Sequence, residues 1–466
     1  MKHVQLCFLT FTFVTLFSSC KTVVEKWSPA GGTPSAPTNF KNGGDKKTAS
    51  KSSGKWWKHF SDPILNDLMD RVETSNPDVG AALARVDQAN AFLGLAGAQR
   101  FPSITGSGNY STDRDSPNTL RFPLDAVEFD RYRVAVNASW EVDLWGRVRG
   151  AYQREKYNAE AAESDYQNIL LSLRASLARQ YFALRYAERD AAILQDAVDV
   201  RAEAFRLQNS LAERGAGTSV DVARAQTELD STRVELQGLQ RTVGKLENSI
   251  ATLTGSAPSE FSLSKKSKTI RIPAIPAGVP SELLERRPDL LVAENALLAA
   301  SRDVGITKAN FLPRITLNGT GGQASLRASN LFAGKQSFFY SLGPQLDVPL
   351  FQGGNKKSTV AQSVAKWDEA AEKYRSALLT AVQEVDDSLL DVKVLKQQAT
   401  TQQRALDSAA KATSLATKRF DQGAASYFEV VDAQRTELDV RRSANALASE
   451  QAAATVQLIQ ALGGEW

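Results

Sequence analysis

The chain is written twice. Asn76-Pro77-Asp78 returns as Arg287-Pro288-Asp289, and Phe101-Pro102-Ser103-Ile104-Thr105 returns as Leu312-Pro313-Arg314-Ile315-Thr316, both at a spacing of 211. Arg214-Gly215-Ala216 returns as Gln422-Gly423-Ala424 at 208, and Leu253-Thr254-Gly255 is matched with Leu462-Gly463-Gly464 at 209. A unit this long exceeds the 20–50 residues of solenoid repeats. It is a whole supersecondary assembly, duplicated, so the fold must be pseudo-symmetric.

Each copy reads as helix, two strands, long helix, tight turn, return helix. The leading helices are expected over 63–100 and 280–310, with Asp62-Pro63 as a start signal. The stretch 151–213 holds no proline, and as one helix would be about 95 Å long. Leu170, Leu177, Leu184, Ala191, Val198 and Phe205 recur every seven residues, as do Val364, Ala371, Leu378, Val385, Val392 and Ala399. These are coiled-coil seams, continued by return helices over 218–255 and 426–462, the second long helix covering 355–421. An inter-repeat segment, 258–279, separates repeat 1 (56–257) from repeat 2 (280–466).

The strands discriminate further. Over 131–144, Tyr132, Val134, Val136, Ala138, Trp140, Val142 and Leu144 alternate with mostly polar residues; over 337–350, Phe338, Tyr340, Leu342, Pro344, Leu346, Val348 and Leu350 do the same. Their partners are expected at 103–112 and 314–322. Such alternation suits strands with lipid on one side. Four strands cannot close a barrel, and an open sheet edge in hydrocarbon leaves backbone groups unpaired. The chain must therefore share a barrel with copies of itself.

Composition narrows the function. A net charge of +4 gives no strongly basic surface for nucleic acid. Two His (His3, His59) and two Cys (Cys7, Cys20), none clustered, leave little for a metal site or a histidine-based catalytic constellation. No enzyme and no cofactor are expected. Lys2, the apolar run Val4–Phe17 and Leu16-Phe17-Ser18-Ser19-Cys20 read as a signal peptide (1–19) ending in a lipobox-like site, with Cys20 the expected site of a covalent lipid. Residues 20–55, rich in Gly, Ser, Pro, Thr and Lys, read as a tether.

The lipobox-like cysteine, the duplicated plan, Trp140-Glu141-Val142-Asp143-Leu144-Trp145-Gly146-Arg147, Arg286-Arg287-Pro288-Asp289 and the Gly463-Gly464-Glu465-Trp466 ending together resemble the TolC-like outer-membrane factors, in their lipoprotein branch of OprM and NodT type. That resemblance implies a homotrimer in the outer membrane, with a twelve-stranded β-barrel and a twelve-helix α-barrel reaching across the periplasm. It implies an exit duct for small molecules, partnered by a periplasmic adaptor and an inner-membrane pump of resistance–nodulation–division or ABC type. The alternatives are a duct for type I protein secretion and a structural coiled-coil lipoprotein of the periplasm.

The resemblance also implies a gate at the turns near Gly215 and Gly423. Asp432 falls where an acidic ring constricts the pore and Phe428 where a hydrophobic gate residue sits. Glu429 falls on a second acidic ring, with Asp221 its counterpart in repeat 1. Phe420 replaces a latching Tyr and lacks its hydroxyl. For the carboxylates a second role stays open, since acidic side chains in a first helical turn are favoured by the helix dipole by about 0.3–1 kcal/mol.

Overall fold

The computed structural model describes residues 40–42, 54–116, 127–264, 270–275 and 286–464. The leader, Cys20 and the Glu465-Trp466 ending lie outside the described residues. Seven helices and four strands are assigned among them: α1 Pro63–Ser75, α2 Pro77–Ala98, β1 Ser103–Asp115, β2 Val127–Glu141, α3 Arg147–Glu213, α4 Ser219–Leu253, α5 Pro288–Ala309, β3 Arg314–Ser325, β4 Phe338–Asp347, α6 Asn355–Asp421 and α7 Tyr427–Ala461. No described helix is long and apolar enough to cross a membrane.

Several boundaries differ from expectation. The helix expected over 63–100 is two helices. Proline cannot donate to the preceding turn, so Pro77 instead opens α2, and the Asn76 side chain accepts from the Asp78 N–H at 2.8 Å. That same side chain donates to the Leu253 carbonyl at 2.8 Å, which fixes the break against the end of α4. In repeat 2 a helix likewise opens at the matching proline, Pro288; residues 280–285 of the expected helix lie outside the described residues. β2 stops at Glu141 and β4 at Asp347, short of 144 and 350, whereas β1 and β3 run on to Asp115 and Ser325.

The repeat is more regular than its glycines suggest. Positive φ marks Gly146 (80°) and Gly354 (87°), and Gly255 (70°) and Gly463 (85°). The Gly255 N–H donates to the Thr252 carbonyl as the Gly463 N–H does to that of Gln460. The structural spacing is thus 208 from β2 onward, and the matching of Gly255 with Gly464 is corrected by one residue, to Gly463. Only the leading helices and β1/β3 keep 211, so the hairpin loop of repeat 1 holds three more residues.

The chain divides into two compact units. One contains the segments Val86–Ala162 and Val292–Tyr374 and carries the sheet. Its order is β1-β2-β3-β4, antiparallel throughout, so among the described residues β1 and β4 are free edges. Trp145 packs here, its indole N–H on the Pro313 carbonyl at 2.6 Å, and Arg147 pairs bidentately with Glu141 at 2.8 and 2.6 Å.

The other unit contains Pro34–Arg85, Glu163–Leu291 and Arg375–Trp466. Its core joins Trp56, Trp57 and Phe60 to the heptad residues Leu170, Leu177, Leu184, Leu378 and Val385, and to Val456 and Ile459 of α7. Phe40 is buried in it, and the neighbouring Asn42 donates from its backbone N–H to Asp386 Oδ1 at 3.0 Å. Buried Arg287 donates to the carboxylates of Asp289 and Glu384, each at 2.7 Å, and to the Ala461 carbonyl at 2.8 Å. It thereby binds the start of α5, the middle of α6 and the end of α7 to one cation.

Candidate functional site: the hairpin tips and the two-faced sheet

Both long helices end in the same device. The Ala216 N–H reaches back to the Leu211 carbonyl and that of Gly215 to Ala212, just as Ala424 reaches Arg419 and Gly423 reaches Phe420. This double bond pattern is a Schellman ending, and it needs the left-handed residue that Gly215 (φ 74°) and Gly423 (φ 70°) supply. Two similar turns therefore present two helix starts, α4 and α7, side by side in sequence logic but unlike in chemistry.

At the α4 start, Thr218 caps the helix by accepting from the Asp221 N–H at 3.2 Å, and its hydroxyl donates to Asp221 Oδ2 at 2.6 Å. Asp221 is half-buried and committed to this reciprocal cap. At the α7 start Ser426 makes no side-chain cap bond. Glu429, the counterpart of Asp221 at the spacing of 208, instead pairs with Arg419 at 3.4 Å, both groups exposed. Phe420 packs its ring on that of Tyr427, centroids 5.9 Å apart, so an aromatic contact stands where a tyrosine hydroxyl is lacking. Phe428 is 63% exposed in the single chain. Asp432 is exposed, and its carboxylate has no ion pair or hydrogen bond among the described residues. Its counterpart in repeat 1 is Arg224, of opposite charge.

Asp221 and Phe428 are brought together: with Arg201, Arg224, Glu228 and Tyr427 they line one small cavity of about 40 Å³ between the two hairpins. Glu429, Asp432 and Phe420 do not line it. Arg201 holds the cavity wall, donating to the Glu228 carbonyl at 3.2 Å and to the Thr232 hydroxyl. Tyr427 is held above its ordinary pKa by burial. Tyr427 and Arg201 escaped the sequence reading, because heptad periodicity marks the apolar seam and is silent on which polar groups meet across it.

The sheet has the second functional character. On one face, Ser139 donates to Asn318 at 2.9 Å and Asn318 to Gln345 at 3.0 Å. Beside them Thr320 donates to Asn137 and Asn137 to Ser107, each at 3.0 Å. Amides and hydroxyls thus run rung by rung across four strands. The opposite face carries Val134, Val136, Trp140, Leu317, Tyr340, Leu342 and Leu346, all exposed in the single chain. A sheet wetted on one side and apolar on the other matches a wall between water and lipid.

The sequence profile of the outer membrane efflux protein family matches residues 68–256 and 279–464, one stretch per repeat. The chain belongs to this family. It is 33% identical over 427 residues to the pyoverdine export outer membrane protein OpmQ of Pseudomonas aeruginosa, covering 88% of this chain and 87% of that protein. It is 28% identical over 425 residues to the toluene efflux pump outer membrane protein TtgI of Pseudomonas putida, covering 91% and 90%. Its fold superposes on the outer-membrane channel OprN with a TM-score of 0.86 at 29% identity, covering 94% of this chain and 99% of that one. The Campylobacter jejuni CmeC outer membrane channel gives 0.88 at 26% identity, covering 94% and 95%. This efflux family member is an outer-membrane channel that extends into the periplasm, and its family is one of transport ducts.

Proposed function

We propose that three copies of the chain close one twelve-stranded barrel and one helical tunnel, forming the passive exit duct of a tripartite efflux system. Small molecules enter from an inner-membrane pump, of resistance–nodulation–division or ABC type, by way of a periplasmic adaptor. The observation that carries this reading is the sheet, polar-laddered on one face, apolar on the other, and open at both edges. The relatives named for pyoverdine and toluene favour small molecules over proteins as cargo. A lipid on Cys20 anchors the chain to the membrane.

Within this reading the tips are the gate. Phe428 projects from the α7 start and Asp432 stands one turn further along with a carboxylate that has no partner among the described residues, so three copies of each converge as an apolar plug and a cation-binding ring. The neutralising counterpart Arg224 and the capped Asp221 leave repeat 1 as a frame. No chemistry occurs, and the pump supplies the energy.

Single-channel conductance in planar bilayers tests the assignment. The wild-type protein should show a small closed-state conductance, which Phe428→Ala and Asp432→Ala each raise several-fold. Unchanged leak in both variants would remove the gate from these residues. Absence of any conductance, even after the tip turns are deleted, would remove the duct.

A further inference from the structure

The internal repeat contains the geometry of a contact that one chain cannot make with itself. Strands β2 and β3 belong to different repeats and pair with Ser139 opposite Asn318 and Glu141 opposite Thr316. Carrying β2 forward by its spacing of 208 gives β4, and carrying β3 back by 211 gives β1. The pairing between repeats inside the chain therefore specifies a pairing between β4 of one copy and β1 of the next. We infer that copies join with Leu346 opposite Gly108, Val348 opposite Gly106, Gln345 opposite Asn109 and Asp347 opposite Ser107. The inference rests on the shared-barrel reading above and adds the register of its seam.

Three independent features of the free edges agree with that register. First, hydrogen-bond direction: the Ala324 N–H donates to the Ser337 carbonyl at 2.8 Å, so odd residues of β4 face β3 and even ones face outward. Pro344 is even, which places its missing N–H on the free edge, the position where a strand tolerates proline. Between repeats the Val142 N–H donates to Ile315 at 2.9 Å, whose counterparts are Leu350 and Ile104, again both even. A shift by one residue would turn every side chain to the wrong face, so only shifts by two compete.

Second, side-chain volume: a Cβ added at Gly106 or Gly108 would meet nothing within 4 Å, while Leu346 and Val348 are 62% and 44% exposed. The inferred register sets these two large residues over these two vacancies. Inside the chain the matching place is Gly319, where Ala138 and Leu342 already lie 3.9 and 3.4 Å from such a Cβ. A shift by two in either direction puts Leu346 over Tyr110 or leaves Gly108 beneath Pro344.

Third, the polar ladder continues. Gln345 accepts from Asn318 within the chain, and across the seam it meets Asn109, whose own neighbour on the polar face is the Ser107–Asn137 pair. Pro344 removes one backbone hydrogen bond from the seam, opposite Tyr110.

Paired cysteines in the full chain test the register. Gln345 and Asn109, and Asp347 and Ser107, are odd residues and hence non-hydrogen-bonded pairs, where Cα atoms approach to about 4.5 Å, within disulfide reach. Within one chain β1 and β4 are three strand spacings apart, roughly 14 Å, so a bond must link copies. Gln345→Cys with Asn109→Cys, and Asp347→Cys with Ser107→Cys, should give covalent oligomers on non-reducing gels. Gln345→Cys with Ser107→Cys or with Ser111→Cys should give less than a tenth as much. Dominance of either shifted pair would overturn the register while leaving the shared barrel intact. No cross-link at any pair in protein that migrates as an oligomer would overturn the seam. Protein that is monomeric in the outer membrane would overturn the shared barrel itself. As a second measurement, Gly108→Leu should cut oligomer yield and Leu346→Gly in the same chain should restore it; failure of that rescue overturns the side-chain fit.

Discussion

Gly255 and Gly423 share a φ of 70° at helix ends in opposite repeats, yet only Gly255 is walled in. A Cβ at Gly255 would fall 2.1 Å from the Ser75 carbonyl oxygen, whereas one at Gly423 meets nothing within 4 Å. The left-handed backbone alone costs a non-glycine residue about 1–2 kcal/mol. Gly423→Ala should therefore destabilise by about 1 kcal/mol. Gly255→Ala adds a backbone collision and should cost about 3 kcal/mol or more. Thermal scans of the detergent-solubilised protein, read as the temperature at which the oligomer is lost, should rank the two variants in that order.

Arg442 of α7 donates to Asp190 of α3 at 3.3 Å and to Glu235 of α4 at 2.5 Å. Burial alone would lower its pKa, but the Asp190 and Glu235 carboxylates outweigh that and raise it. The Asp190 side chain is only 16% exposed, so losing its cation leaves a carboxylate poorly solvated. Arg442→Ala should cost about 1–3 kcal/mol, and adding Asp190→Leu should recover part of it. Because α7 carries Phe428 and Asp432, Arg442→Ala should also raise closed-state leak in the conductance assay. A stability loss with no change in leak would make the clasp purely structural.

Arg287 offers a test of geometry over charge. Lysine keeps the charge but cannot span Asp289, Glu384 and the Ala461 carbonyl at once. Arg287→Lys should lose about 2–3 kcal/mol, measured as a lower temperature of oligomer loss.

Tyr181 gives the protein an alkaline limit. Its pKa is pushed well up, first by burial and then by its hydrogen bond to Asp62 Oδ2, 2.6 Å away. Unfolded tyrosine titrates near pH 10. Below that pH both states hold the proton and the contribution is complete. Above it the unfolded chain gives up the proton while the folded one retains it, so stability falls as pH rises past about 10. Tyr181→Phe should be less stable at pH 8 but lose less between pH 9 and 11, as followed by thermal scans at each pH.

The sequence made the architecture readable because its signals are periodic. The seven-residue steps through Leu177 and Leu184 locate the buried seams, and the two-residue alternation around Val134 and Val136 locates the apolar face of the sheet. Proline at Pro77 is a weaker signal, since it breaks a helix in its interior and starts one at its first position. Only the partner of Asn76, 177 residues away, decides between the two. At the tips the acidic residues were legible as residues and not as roles. Asp221 and Glu429 occupy the same repeat position, but the choice between a cap and an ion pair depends on Thr218 and Arg419. Periodicity carries no record of those contacts.

The uneven capping of the two return helices has a mechanical consequence. A bonded N-cap holds a helix start by about 1 kcal/mol; Thr218 provides that bond to α4 and Ser426 withholds it from α7. Warmed or pulled, α7 should therefore unwind its first turn before α4 does. Around a ring of alternating hairpins, every second element would thus be soft and its neighbours stiff. A sixfold wall made of such staves has a threefold compliance, and a partner pressing evenly on all six tips would move only three.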